Sequence, residues 1–281
     1  MNKQIGIIII IILVLLIGLT ITLYPIISSA YNSKHQSEIH TQYIAEIEKT
    51  DNSQIEEARD AARAYNAAIT PGISVYNPEM LTQISAGYDE QLNLTGDGIM
   101  GYVEVPLLNI NLPIYHGTDS ETLETGVGHL LGSSLPVGGD STHTVLTAHS
   151  GMANQKFFSD LDKMKVGDIF YLHILDDVLA YMVDEISIVL PHDTKHLGIT
   201  EGKDLCTLIT CTPFAVNTHR LLVRGTRIPY IEAEEIAADI PRGETTTSTW
   251  VEQYLKSLII AVVIAVIIIL IVIIVRRKFH E

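Results

Sequence analysis

The chain has 281 residues, 47% of them hydrophobic, and a formal net charge of −15. So acidic a balance argues against nucleic acid as a partner, because phosphate binding needs a basic face. The two cysteines, Cys206 and Cys211, are too few for the disulfide framework of a small secreted scaffold.

The apolar excess sits at the two ends. Ile5–Leu23 and Leu258–Val275 are apolar and uncharged. Each is long enough to cross a hydrocarbon core of roughly 30 Å as a helix. Ser28-Ser29-Ala30 offers small residues for signal cleavage. The apolar run before it exceeds the ~7–15 residues of a signal core, so an uncleaved anchor is expected. Arg276-Arg277-Lys278 follows the second run and Lys3 precedes the first. Basic flanks stay cytoplasmic, so both ends are expected inside and the acidic middle outside. The expected division is a transmembrane anchor over 1–28, helices over 29–69 and a lid-like loop over 70–97. A β-barrel over 98–230 follows, then an acidic segment and linker over 231–256, a second span over 257–275 and a basic tail over 276–281.

Ser37–Ala68 is helical in pattern, with Ile44, Ile47, Ile55, Ala58, Ala62 and Tyr65 as an apolar stripe. Asp51-Asn52-Ser53 breaks it into two helices, with Glu56 three residues after Ser53 as the return arm of a capping box. Thr70-Pro71-Gly72 ends them. Ile73–Thr95 has no period and contains Asn77-Pro78, so a long lid or binding loop is expected, with a plain spacer as the alternative.

From Gly98 the pattern turns to strands. Ile99–Val105 alternates, and Leu112–Tyr115 follows a turn at Asn109-Ile110-Asn111. Gly126–Gly139 is glycine-rich and irregular, and its Leu135-Pro136-Val137-Gly138-Gly139 reads as a turn. His143–Ser150 is a strand ending on His149, and Phe157–Met164 is one or two helical turns. Asp168–Leu175 and Val178–Leu190 form a hairpin across Asp176-Asp177. Thr194–Gly198 is loop, Cys206–Thr212 and Arg220–Tyr230 are the last strands, and Ile231–Ala238 is weakly helical. Many short strands with sparse helix predict a mainly β fold, a closed or nearly closed barrel.

Thr207–Pro213 reads as an apolar strand that ends on Cys211. Eight residues separate Cys211 from Arg220, so the two strands can form an antiparallel hairpin with these residues opposite each other at its mouth. Cys206 lies five positions before Cys211, on the other face of the strand, and is expected in the core and unbonded. A thiolate needs a cation or a base beside it. His149, at the end of a strand of the same shape, can take the thiol proton and return it to a leaving amine. Arg220 cannot act as a base, but it can hold charge on the oxygen of a tetrahedral intermediate. Among eleven histidines, His143 and His219 are the rivals of His149. Arg224 and Arg227 are the rivals of Arg220.

Thr207-Leu208-Ile209-Thr210-Cys211, with Arg220 nine residues on and Thr147-Ala148-His149-Ser150-Gly151 some sixty residues earlier, resembles the sortases. Gly98–Pro106, Leu112–Gly117 and the run Asn217–Tyr230, with the N-terminal helices and second apolar run, resemble the class C, pilin-polymerising branch. The resemblance implies an eight-stranded sortase-type β-barrel with N-terminal helices and short connecting helices, flanked by two transmembrane helices. It implies a cell-membrane transpeptidase on the outer face of a Gram-positive-type surface, with His149, Cys211 and Arg220 as catalytic residues. Cys211 would attack the Thr–Gly bond of an LPXTG-like sorting signal, and a pilin lysine would resolve the thioester. The alternative acceptor is the amine of a cell-wall precursor, which would anchor single surface proteins. This chemistry requires no metal and no organic cofactor. Class C sortases usually carry an Asp-Pro-aromatic lid, in which the aspartate pairs with the catalytic arginine and the ring covers the cysteine. Here the matching residues are Asn77, Pro78 and Glu79, with Tyr76 as a substitute ring, so a weakly latched lid is expected. Thr210 and His219 are further candidates for the cleft.

Overall fold

The computed structural model describes residues 3–69, 77–150 and 155–239, together with 256, 258–260 and 262. Two compact units divide the chain: Met1–Tyr31 with Thr246–Glu281, and Asn32–Thr245. The second carries the barrel.

Helices α1 (Lys3–Lys49) and α2 (Asn52–Ala67) meet at the predicted break. The cap is Asp51 rather than Ser53: its carboxylate accepts from the Ser53 N–H at 2.8 Å. Glu56 turns to Arg59 instead of closing a capping box. Ile55, Arg59, Ala62 and Asn66 form the buried stripe of α2, as a 3.6-residue period requires. Two of these are polar, and both reach the barrel. Arg59 pairs with Asp176 and, at 3.1 Å, with Asp177. Asn66 donates to the Leu135 carbonyl at 3.1 Å and accepts from the Leu135 N–H at 2.7 Å. Asn66→Ala therefore leaves a fully buried N–H unpaired. We expect a loss of about 2 kcal/mol and a melting temperature about 4–8 °C lower in a thermal melt of the full chain.

The stretch predicted as a long loop contains helix α3 (Pro78–Ile84). Asn77 caps it, accepting from the Met80 N–H at 2.9 Å. Pro78 takes the first helical position, where no N–H is needed. Met80 and Ile84 pack with Ile69. Further on, Tyr88 and Leu92 are buried. The Tyr88 hydroxyl lies 2.8 Å from His129 Nδ1 and accepts from the Gly117 N–H at 3.0 Å. Burial pulls His129 down to about 4, so its ring is neutral at pH 7 and can serve as an acceptor. Residues 77–97 are thus built into the domain by capping, burial and hydrogen bonds. Residues 70–76, including Tyr76, lie outside the described residues.

Eight strands follow: β1 (Ile99–Val105), β2 (Ile110–His116), β3 (Val127–His129), β4 (Thr142–Thr147), β5 (Ile169–Ile174), β6 (Asp177–Val189), β7 (Asp204–Thr212) and β8 (His219–Ile228). They close into a barrel in the order β1-β2-β3-β4-β7-β8-β6-β5. Short helices α4 (Ser120–Thr125) and α5 (Tyr230–Asp239) decorate it. Three local readings need correction. The glycine-rich stretch hides β3, whose short parallel pairing with β2 gives little pattern of its own. The turn before β2 is Pro106–Leu108 with a left-handed Asn109, and Ile110 and Asn111 are already in the strand. The β5–β6 turn is Leu175-Asp176, because Ile174 pairs with Asp177. Tyr102, Phe170 and Tyr181 are fully buried in the interior.

Among the described residues no helix is long and apolar enough to cross a membrane. The second predicted span lies almost wholly outside those residues, as do most side chains of the first.

Candidate active site

The site forms where β4, β7 and β8 end together. Cys211 pairs with Arg220 across the antiparallel β7–β8 hairpin, as the loop length requires. β4 runs parallel to β7, with Thr147 opposite Ile209. Two further contacts carry that register beyond the strand. The Ala148 N–H donates to the Ile209 carbonyl at 3.1 Å, and the Thr210 hydroxyl donates to the Ala148 carbonyl at 2.8 Å. Continued by one residue, the register sets His149 level with Cys211. The His149 carbonyl accepts from the Phe158 N–H at 3.1 Å, and its ring stands edge-on to Phe157 at 6.5 Å.

Alternation along β7 separates the two cysteines. Cys206 and Leu208 face the barrel core, while Ile209 faces outward and packs with Val145, Leu222, Leu130 and Leu197. Both thiols are free, with Cys206 buried and Cys211 half-buried. Burial, with Asp204 nearby, pushes the Cys206 thiol well above its ordinary range. At neutral pH Cys206 is an inert apolar group. The outward apolar cluster floors a groove of about 200 Å³, with Thr147 and Arg220 in its lining. Leu190, Pro191, Asp193 and Thr194 from the segment after β6, with Thr118 and Leu123, complete its walls.

The remaining candidates fall elsewhere. Thr210 is an inward residue, buried beside Leu221, and it pins β4 to β7 rather than lining the cleft. His219 pairs with Thr212, so it lies on the face opposite Arg220 and Cys211. Its ring meets the neighbouring Thr218 hydroxyl at 3.0 Å. His143 stands near the far end of β4, buried between Thr207 Oγ1 at 2.7 Å and the Gly198 carbonyl at 2.9 Å. Arg224 is held by Asp184 and Glu185, and Arg227 lies over the Tyr181 ring. The Arg220 guanidinium donates to the carbonyls of Asn217 and His219. The expected latch is not formed among the described residues. The Asn77 side chain is committed to Met80, and Glu79 is exposed in the first turn of α3. The groove lining was not singled out from sequence. The signal was present in Val145, Ile209 and Leu222, apolar residues on the outer face of strands whose inner face is apolar too.

A thiol, an imidazole and a guanidinium at one barrel rim, beside an apolar groove, are the groups that acyl transfer through a thioester needs. Residues 103–228 match the sortase domain. Sortase C from Streptococcus pneumoniae is 44% identical, covers 69% of this chain and 97% of its own, and superposes with a TM-score of 0.62. Sortase C1 from Streptococcus agalactiae is 42% identical over 68% of this chain and 98% of its own, with a TM-score of 0.64. Sortase A from Streptococcus agalactiae serotype III is 27% identical over 76% of this chain and 81% of its own. The chain belongs to the sortase family, in its class C branch, and is a cysteine transpeptidase.

Proposed function

We propose that this sortase cuts an LPXTG-like sorting signal at Cys211 and transfers the acyl group to a pilin lysine. The observation that carries this reading is the register of β4, β7 and β8. It brings Cys211 opposite Arg220 and His149 level with them, and Arg220 lines an apolar groove. In the first step the Cys211 thiolate adds to the threonine carbonyl carbon, and Arg220 stabilises the oxyanion. The Thr–Gly C–N bond breaks, the leaving amine takes a proton from His149, and a thioester remains. In the second step a lysine amine gives its proton to His149 and attacks the thioester. An isopeptide bond forms and the Cys211 thiolate is released.

The pilin acceptor is favoured by the sortase C structures at 42–44% identity, although a sortase A from Corynebacterium diphtheriae is as similar, at 44%. The S. pneumoniae protein is described in terms of pilin substrate specificity. The sortase A relative keeps the second acceptor, a cell-wall precursor amine, as the alternative. Membrane anchoring by both apolar runs fits the exposed Leu13, Ile17, Leu19, Ile21 and Leu23 of α1, and Ile259, Ile260 and Val262 near the C-terminus. Apolar side chains so concentrated are unfavourable in water. The basic flanks place both ends in the cytoplasm and the barrel on the cell surface.

The test is incubation of the full chain with an LPXTG-like peptide and either a pilin or a cell-wall precursor analogue, read by mass spectrometry. An isopeptide adduct on a pilin lysine is expected. Transfer only to the precursor analogue selects the anchoring function, and no cleavage at all overturns both.

A further inference from the structure

We propose that Asp193 makes the groove charge-selective. It would favour a sorting signal whose variable residue, between proline and threonine, is cationic, and disfavour one where that residue is acidic. This rests on the reading of the site as one that cuts such a signal.

Apart from Asp193 and Arg220, the groove is lined by apolar and uncharged polar residues. The two opposite charges are not paired with each other, and among the described residues neither forms an ion pair. Among the described residues the Asp193 carboxylate accepts only from the Lys195 N–H of its own turn, at 3.3 Å. A peptide lying in the groove takes water away from both groups. A charge stripped of water has to be met by its ligand or it opposes binding. Peptide carbonyl oxygens can meet Arg220. Asp193 needs an ammonium, a guanidinium or an N–H.

Its place along the groove identifies the substrate residue. β6 ends on Val189, opposite Arg220. The chain then turns, with the Asp193 N–H donating to the Leu190 carbonyl at 3.0 Å. It next brings Leu197 onto Val145, Ile209 and Leu222. Asp193 thus lines the groove from within the segment that runs from the level of Arg220 to the apolar floor. Ile209 and Leu222 lie two strand residues below Cys211 and Arg220, roughly 7 Å down the groove. An extended peptide with its threonine carbonyl at Cys211 advances about 3.3 Å per residue. The residue before the threonine passes the wall, and the apolar residues before that reach the floor. His192 and Lys195 flank Asp193 in sequence, but both are exposed and outside the groove lining. A cationic residue there gains an opposite charge, whereas an acidic one meets a like charge.

Three peptides differing only in Lys, Gln or Glu at that position test this on the full chain. The parent should favour Lys over Glu in kcat/KM by roughly tenfold, and less so at high salt. Asp193→Asn keeps the acceptor for Lys195 and should bring the ratio to about one, while Asp193→Lys should reverse it. Each ratio is read within one variant, so a change in overall activity does not enter. An equal Lys-to-Glu ratio in parent and Asp193→Asn overturns the charge selection and leaves the transpeptidase reading standing. A parent that cleaves none of the three overturns both.

Discussion

Cys211→Ala should lower kcat/KM for an LPXTG-like peptide by about 10⁴-fold or more, to the background of the assay. That is roughly 5.5 kcal/mol of lost transition-state stabilisation. The loss is the largest of any single change because, in the proposed mechanism, no other group in the site can form the thioester. Cys206 cannot substitute for it: it faces the core and is fully buried. The other two groups have smaller and distinct effects. Arg220→Ala removes a fixed charge at the oxyanion and should cost about 10²–10³-fold. His149→Ala removes the proton carrier and should cost about 10²–10⁴-fold. Cys206→Ala is the control, since it leaves every group of the rim in place. Initial rates of peptide cleavage, with a thermal melt to confirm folding, decide between them. Cleavage by Cys211→Ala at the parental rate would show that the thioester mechanism is wrong.

Gly101→Ala should be among the most destabilising single methyl additions in the barrel. Gly101 lies at the register shift of β1. A Cβ there would come 2.4 Å from the His173 carbonyl oxygen and 2.4 Å from Ile174 Cδ1. The isoleucine methyl can rotate away, but the carbonyl belongs to the strand paired with β1 through Tyr102 and His173. That pairing closes the barrel, so relief of the clash has to open the seam. A cost of about 3 kcal/mol and a melting temperature roughly 6–12 °C lower are expected. Calorimetry on the full chain checks this, and a shift under about 2 °C would show that the seam yields locally.

Much of the β7–β8 half of the site was legible beforehand. Loop length and a period of two place Cys211 opposite Arg220, and the structure pairs them so. The same period puts Cys206 inside. These are local relations, carried by the order of a few neighbouring residues. His149 is different. Its strand could be read, but not its neighbour: β4 lies beside β7 in parallel, across more than fifty residues of chain. Only closure of the whole barrel selects that partner. Thr210 was misread for a related reason. A polar residue next to the nucleophile suggests a cleft, yet alternation turns it inward, where its hydroxyl holds β4 in place.

By itself the sequence determined the class of fold, the two apolar ends, the helix break at Asp51 and the cysteine–arginine hairpin. Each depends on periodicity, capping or loop length, which act over a few residues. Tertiary structure alone decided that His149 stands level with Cys211, that Asn77 caps a helix instead of meeting Arg220, and that Val145, Ile209 and Leu222 floor a groove. Those depend on which distant strands become neighbours. Burial on both sides of a strand hides that choice, because an outward groove residue and an inward core residue are equally apolar.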